Sequence, residues 1–500
     1  MAFLSTLLAL PLARRRAEIE LFKKYPFEIQ EEVLQNLIKR AVATEWGKKY
    51  NYQNISNLEQ FRERVPLQDY EDLRPYIERM QRGEENLLWP GQAKWFAKSS
   101  GTTATRSKFI PVTKESLEDC HYRGGKDIIA LYVEANKDSR LFSGKTLSLG
   151  GTGQKNEQTG YCGDLSAILM NNLPFWGQFI RTPDLEIALL GEWEEKIEKI
   201  ISASCSKNIT CLAGVPSWML VLLYRLLEKN NKQNVLDIWP NLELFIHGGI
   251  SFDPYREQFK KIIPSDKMNY FEVYNASEGC FALNEYPGAN DMLLMLDYGV
   301  FYEFIPLEEL NKTSPQVLSL REVELNKNYA LVISTNGGLW RYLIGDTVIF
   351  TSLQPFRIRI SGRTKHFINA FGEELMVGNA DRGLEIACQK TGASIKDYTA
   401  APLFMSATEK GCHEWLIEFN QKPSDLEKFS QLLDEALKSL NSDYEAKRYK
   451  NITLGPPKII IARPNLFYDW LKQKNKLGGQ NKVPRLANNR NYLDELLQLS

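Results

Sequence analysis

Between residues 140 and 280, short apolar runs alternate with longer runs of helical periodicity. No other feature constrains the fold as strongly. Segments 146–149, 209–215, 242–246 and 270–274 read as strands, and 194–203 and 218–227 as helices. Such alternation predicts an α/β architecture. Each strand ends on small or polar residues: Gly150-Gly151, Pro216-Ser217, His247-Gly248-Gly249 and Asn275-Ala276-Ser277-Glu278. The carboxyl ends of strands are where α/β sheets usually hold ligands. The 218–227 run is apolar all round, which predicts a buried helix, with Ser217 as its cap.

The flanking regions set the organisation. Residues 15–46 carry helical spacing, and 292–350 is strand-rich with a turn at Gly337-Gly338. Near Gly362-Arg363-Thr364-Lys365 the pattern resets to a smaller α/β unit, with helices expected at 380–389 and 426–440 and strands at 415–419 and 458–462. The expected division is therefore 1–364 and 365–500. The 3–12 stretch is apolar but too short to span a bilayer. Its arginines, Arg14-Arg15-Arg16, follow the apolar run, whereas a secretory signal places its charges first. An amphipathic helix start on a cytoplasmic protein fits best, with membrane-surface contact the alternative.

Charge and cysteine usage remove whole classes of function. Lys+Arg and Asp+Glu both total 62, so there is no basic field for nucleic acid. Seven cysteines without a C-x-x-C pair argue against a disulfide framework or a zinc knuckle. The four histidines, at 121, 247, 366 and 413, lack metal-ligand spacing.

The most pointed chemistry lies in Ser99-Ser100-Gly101-Thr102-Thr103-Ala104-Thr105-Arg106-Ser107-Lys108. Hydroxyls, open backbone N–H groups and cations are what a polyphosphate needs from a loop. Apolar flanks on both sides make this run the tip of a β-hairpin. No Gly-Lys followed by Ser or Thr occurs in it, so it is not a Walker loop. Further on, Tyr274 and Glu278 end a strand, where a tyrosine can stack on a purine and a carboxylate can offer Mg²⁺ a hard oxygen. Asp346, expected in a turn after Gly345, could accept from two ribose hydroxyls. Gly362-Arg363 and Lys482 complete the set. Each also fits a plain role: a surface turn, a core tyrosine with an exposed glutamate, a turn aspartate, a solvated lysine.

Taken in this order, the hairpin, the Tyr-x-x-Ser-Glu strand end, Gly345-Asp346, Gly362-Arg363 and Lys482-Val483-Pro484-Arg485 resemble the adenylate-forming, acyl-activating enzymes. Within them the chain is similar, over essentially its whole length, to the Gretchen Hagen three family of acyl acid amido synthetases. The resemblance implies a large N-terminal α/β domain, with mixed sheets flanked by helices and a β-barrel-like part, and a small mobile C-terminal α/β domain. It implies ATP and Mg²⁺, a carboxylic acid and an amine (usually an amino acid) as substrates, and a monomer or loose dimer.

It assigns ATP contacts to Ser99, Ser100, Gly101, Thr102, Thr103, Gly249, Tyr274, Ser277, Asp346 and Arg363, the metal to Glu278 and catalysis to Lys482. For the acyl group it points to Gly151, Thr152, Val215, Trp218 and His247, with the aromatic-rich 161–179 stretch nearby. Two departures stand out. The 362–366 joint lacks the acidic hinge residue typical of the wider superfamily, and His247 has no counterpart with a defined role. Transfer to coenzyme A instead of an amine, or a non-catalytic relative, are the alternatives. The neutral composition shows no basic patch for coenzyme A.

Overall fold

The computed structural model describes residues 14–499 apart from 100–107, 152, 157–159, 174, 253–254, 311, 365–366, 406–409, 450–453 and 475–482. Its centre is an eleven-stranded mixed sheet. One half is parallel: Asn269–Ala276, Leu244–His247, Ile209–Gly214, Lys145–Leu149 and the edge strand Arg181–Thr182 lie side by side. The other half is antiparallel and continues through Gly279–Leu283, Met292–Leu294, Phe356–Arg363, Tyr342–Leu353, Asn328–Thr335 and Val300–Pro306.

The parallel half is covered by the helices Trp193–Ser204, Pro216–Lys229 and Arg256–Ile262. Leu147, Leu212 and Phe245 of the strands pack with Ile200, Met219, Leu223 and Phe259 of the helices, all fully or almost fully buried. Burial of a Leu or Phe side chain contributes about 1.5–3 kcal/mol, so this layer fixes the sheet on which the strand ends stand.

Local sequence explains most helix limits, and two expectations need correction. Ser217 does not cap its helix: Val215 occupies the cap, makes no side-chain capping bond, and Pro216 fills the first turn. A proline serves there because its missing N–H would be unbonded anyway. Nor is that helix buried all round, since Arg225, Glu228 and Lys229 face solvent. At the N-terminus, the helical stretch is divided at Tyr25, with Pro26 opening the helix Pro26–Ala41.

The stem of the expected hairpin is present. Trp95–Ser99 pairs antiparallel with Lys108–Val112, Ser99 opposite Lys108. Two further strands, Gly160–Gly163 and Gly153–Asn156, extend it to a four-stranded sheet.

The smaller C-terminal unit has the strands Ser394–Leu403, Cys412–Gln421 and Lys458–Ile461 and the helices Val377–Thr391 and Leu426–Leu440. The first of these strands was not foreseen. Apolar packing runs without a break from the large body into this unit, through Phe371, Leu375, Tyr398 and Trp415. Among the described residues no helix is long and apolar enough to cross a membrane.

Candidate active site

Four parallel strands run the same way, so their carboxyl ends gather at one edge of the sheet: Leu149, Gly214, His247 and Ala276. A cleft of about 2900 Å³ opens there. It is lined by every described residue of the expected set: Ser99, Gly151, Val215, Trp218, His247, Gly249, Tyr274, Ser277, Glu278, Asp346 and Arg363. Ser100, Gly101, Thr102, Thr103, Thr152 and Lys482 lie outside the described residues.

The polar centre of the cleft is a chain of hydrogen bonds. The Tyr274 hydroxyl donates to Asp346 Oδ2 at 2.6 Å, and Arg363 Nε donates to Oδ1 at 2.7 Å. The two terminal nitrogens of Arg363 reach the two oxygens of Glu374 at 3.1 Å each, a bidentate pair. Burial works against the Arg363 charge, but Glu374 and Asp346 more than offset it and hold the guanidinium charged. A carboxylate has about four acceptor positions, so Asp346 keeps capacity for two further donors, the number a ribose presents.

Asp346 lies inside the strand Tyr342–Leu353, not in the expected turn. Gly345 before it has φ +96°, a conformation that L side chains rarely adopt. The register against Asn328–Thr335 shifts across this stretch, between Leu343 and Thr347, and on the other side Asp346 lies opposite Arg363.

Glu278 is buried, not exposed as its plain reading would have it. Burial pushes its carboxyl up to about 7, Lys108 and Arg363 pull it down, and Asp346 adds to the rise. Mg²⁺ commonly takes one or two protein carboxylates together with phosphate oxygens. A buried carboxyl that charges near neutrality beside an open cleft fits such an ion. Among the described residues no cluster could hold a metal with protein ligands alone. Tyr274 is a nearly buried ring, set edge-on against Phe281 at 4.9 Å.

The other arm of the cleft surrounds Gly150-Gly151. Lys196, almost wholly buried, donates from behind to the carbonyls of Gly150 at 2.7 Å and Gly151 at 3.1 Å, while Gly151 N donates to Ser166 Oγ at 2.9 Å. Burial lowers the Lys196 ammonium to about 8, Asp164 opposing and Lys447 adding to the fall. A side chain at Gly151 would run into the Asp164 carboxylate. Sequence reasoning passed over Lys196 because a lysine in a surface-like helix carries no signal of its own.

His247 stacks on Phe252, with ring centroids 4.2 Å apart, and its buried Nδ1 has no partner. Burial, helped by Arg256, lowers its pKa to about 3, so the ring is neutral. The smaller unit closes one side. Trp218 Nε1 donates to the Phe371 carbonyl at 3.3 Å, and the Lys447 ammonium lies 3.6 Å from the centre of the Trp218 ring. Just past 482, Thr399 and Ala400 hold the carbonyls of Pro484 and Arg485 at 2.6 and 2.8 Å, and Asn488 reaches the cleft wall.

A large α/β body with a smaller α/β unit beside a cleft at the sheet's carboxyl edge is the architecture of the adenylate-forming enzymes. Family models for the GH3 family match in three parts: its N-terminal domain over residues 15–268, its central domain over 293–363 and its C-terminal domain over 378–491. The chain belongs to the GH3 family. It is 23% identical to the indole-3-acetic acid-amido synthetase GH3.8 of Oryza sativa subsp. indica, over 91% of this chain and 87% of that one. It is 22% identical to the 4-substituted benzoates-glutamate ligase GH3.12 of Arabidopsis thaliana, over 91% and 92%. Among solved structures, the AtGH3.15 acyl acid amido synthetase in complex with 2,4-DB superposes with a TM-score of 0.61 at 18% identity, covering 96% of this chain and 95% of that one.

Proposed function

We propose that this protein is an ATP-dependent acyl acid–amido synthetase, a carbon–nitrogen ligase. A carboxylate oxygen attacks the α-phosphorus of ATP, the bond to pyrophosphate breaks, and an acyl adenylate remains. An amine nitrogen, from an amino acid, then attacks the acyl carbon. AMP leaves and the nitrogen loses a proton. The observation that carries this reading is the convergence of all the described expected residues on one cleft, around the Tyr274–Asp346–Arg363–Glu374 chain.

The first step brings two anions together, so positioning and charge stabilisation dominate its barrier. In this reading Ser99 with Ser100, Gly101, Thr102 and Thr103 holds the β- and γ-phosphates. Gly249, Tyr274, Ser277, Asp346 and Arg363 hold the nucleoside side. Glu278 would hold Mg²⁺, which when bound neutralises phosphate charge. Lys482 bridges the acyl carboxylate and the α-phosphate, a task suited to a compact point charge. Gly151, Thr152, Val215, Trp218 and His247 surround the acyl group. The joint between the two domains falls at 364/365, and the compartment is the cytoplasm.

ATP–pyrophosphate exchange across a panel of carboxylic acids tests the first step. At least one acid should drive exchange, and amino acids should then release AMP with amide formation. Silence across the panel would remove the reading. Coenzyme A outpacing every amine would move the acceptor to a thiol.

A further inference from the structure

The acyl arm of the cleft contains an arginine that no carboxylate pairs with among the described residues. Arg181, on the edge strand Arg181–Thr182, is only 4% exposed and lines the cleft. Its buried Nε has no hydrogen-bond partner. Among the described residues its NH1 meets the thioether sulfur of Met170, at 3.7 Å, a weak acceptor that cannot balance a charge. Asp184 acts on it only from a distance. Buried guanidinium groups are ordinarily matched by a carboxylate, because an uncompensated buried charge is costly. Here burial has already begun to weaken its hold on the proton.

Its location says what the charge faces. Arg181 pairs with Thr146 on the strand that ends at Leu149, just before Gly150. Met170, which it touches, also abuts Gly150. Around it the cleft wall is formed by Leu173, Gly177 and Ile180. Arg181 is thus carried by the edge strand next to Lys145–Leu149, six or more strands across the sheet from the strands that carry Asp346 and Arg363. A planar fork of donors in an apolar wall is suited to one chemical class, a carboxylate held by paired hydrogen bonds.

We infer that Arg181 is an anion hook that binds a second carboxylate, one that is not activated. This rests on the amido-synthetase reading and extends it to the substrate class. Two substrates could present such a group: a dicarboxylic acyl donor, or the α-carboxylate of the amino acid acceptor. In both cases the group that reacts lies elsewhere in the cleft, and Arg181 sets the orientation and selects for the anion.

The test compares wild type with Arg181→Met and Arg181→Lys on matched substrates. Exchange without amine is measured with pentanoate against glutarate and benzoate against isophthalate. Amide formation is measured with alanine against alaninamide. The expected result is a KM for the carboxylate-bearing member of one pair raised at least tenfold in Arg181→Met, its neutral counterpart unchanged, and partial recovery in Arg181→Lys. A change confined to exchange assigns the hook to the donor, and one confined to aminolysis assigns it to the acceptor. Unchanged preferences in both arms would overturn the proposal.

Two further readouts separate it from other failures. Wild type silent with every acid would refute the synthetase reading, yet calorimetric titration of glutarate and alanine into wild type and Arg181→Met still tests the hook. Equal binding, or none, to both proteins would defeat it. Removing an unpaired buried cation should leave the melting temperature of Arg181→Met equal or higher. A fall in melting temperature with unchanged ligand preference would reduce Arg181 to a structural residue.

Discussion

His247 shows how one side chain ties the site to stability. Its pKa is lowered from 6.5 to about 3 by burial and by Arg256. A depressed value means that the unfolded chain binds the proton more tightly. The neutral ring therefore contributes its stability above pH 6.5, and that contribution drains away as the pH falls toward 3. His247→Phe keeps the stack on Phe252 and removes both the titration and the unpartnered Nδ1. Chemical denaturation should find this variant gaining on wild type as the pH drops below 6.5, by about 1.4 kcal/mol per pH unit, roughly 3 kcal/mol by pH 4. A pH-independent difference would refute that account. Asp346 makes the matching catalytic prediction. Asp346→Asn gives up the charged pairing with Arg363 and, in the proposed reading, acceptors for the nucleoside. Loss of a charge-assisted contact costs about 1.5–3 kcal/mol, so KM for ATP should rise roughly ten- to hundredfold.

At the level of elements, the helix Pro216–Lys229 holds up the strand ends. Leu223 is fully buried between it and the sheet. Leu223→Ala should lower unfolding stability by about 2–5 kcal/mol, read from urea midpoints, with KM for ATP little changed in the protein that remains folded. The sequence announced this element through its apolar run, and it announced the helix Leu426–Leu440 to the residue. Other elements were hidden for physical reasons. Asp346 reads as a turn residue because glycine precedes it, yet Gly345 uses its positive φ to bend a strand that continues to Leu353. Ser394–Leu403 mixes serine, lysine and aspartate into its first half and only becomes apolar later, so no period stands out. Lys196 and Arg181 were invisible because their importance comes from what surrounds them, and burial of a cation cannot be read from a cation's own neighbours in sequence.

On the scale of the whole molecule, the smaller unit meets the large body through specific contacts. Besides the Trp218 contacts, Tyr255 donates to the Ala370 carbonyl at 2.5 Å and Gln258 to the Met405 carbonyl at 2.7 Å. These bonds belong to one arrangement of the two units. Water exclusion during adenylation and access for the amine afterwards make opposite demands on the cleft, which domain closure can reconcile. A cross-link fixing the units together should abolish amide turnover, and full activity in the cross-linked protein would contradict the need for motion.

The central claim is that a lysine carried by the smaller unit offsets the repulsion between a carboxylate and a triphosphate. The most direct measurement is acid-dependent ATP–pyrophosphate exchange by Lys482→Ala beside wild type, with ATP affinity followed separately. Loss of one such electrostatic contact typically costs about 3–4 kcal/mol of barrier. The account predicts exchange slowed roughly 10²- to 10³-fold with ATP affinity nearly unchanged; exchange at the wild-type rate would contradict it.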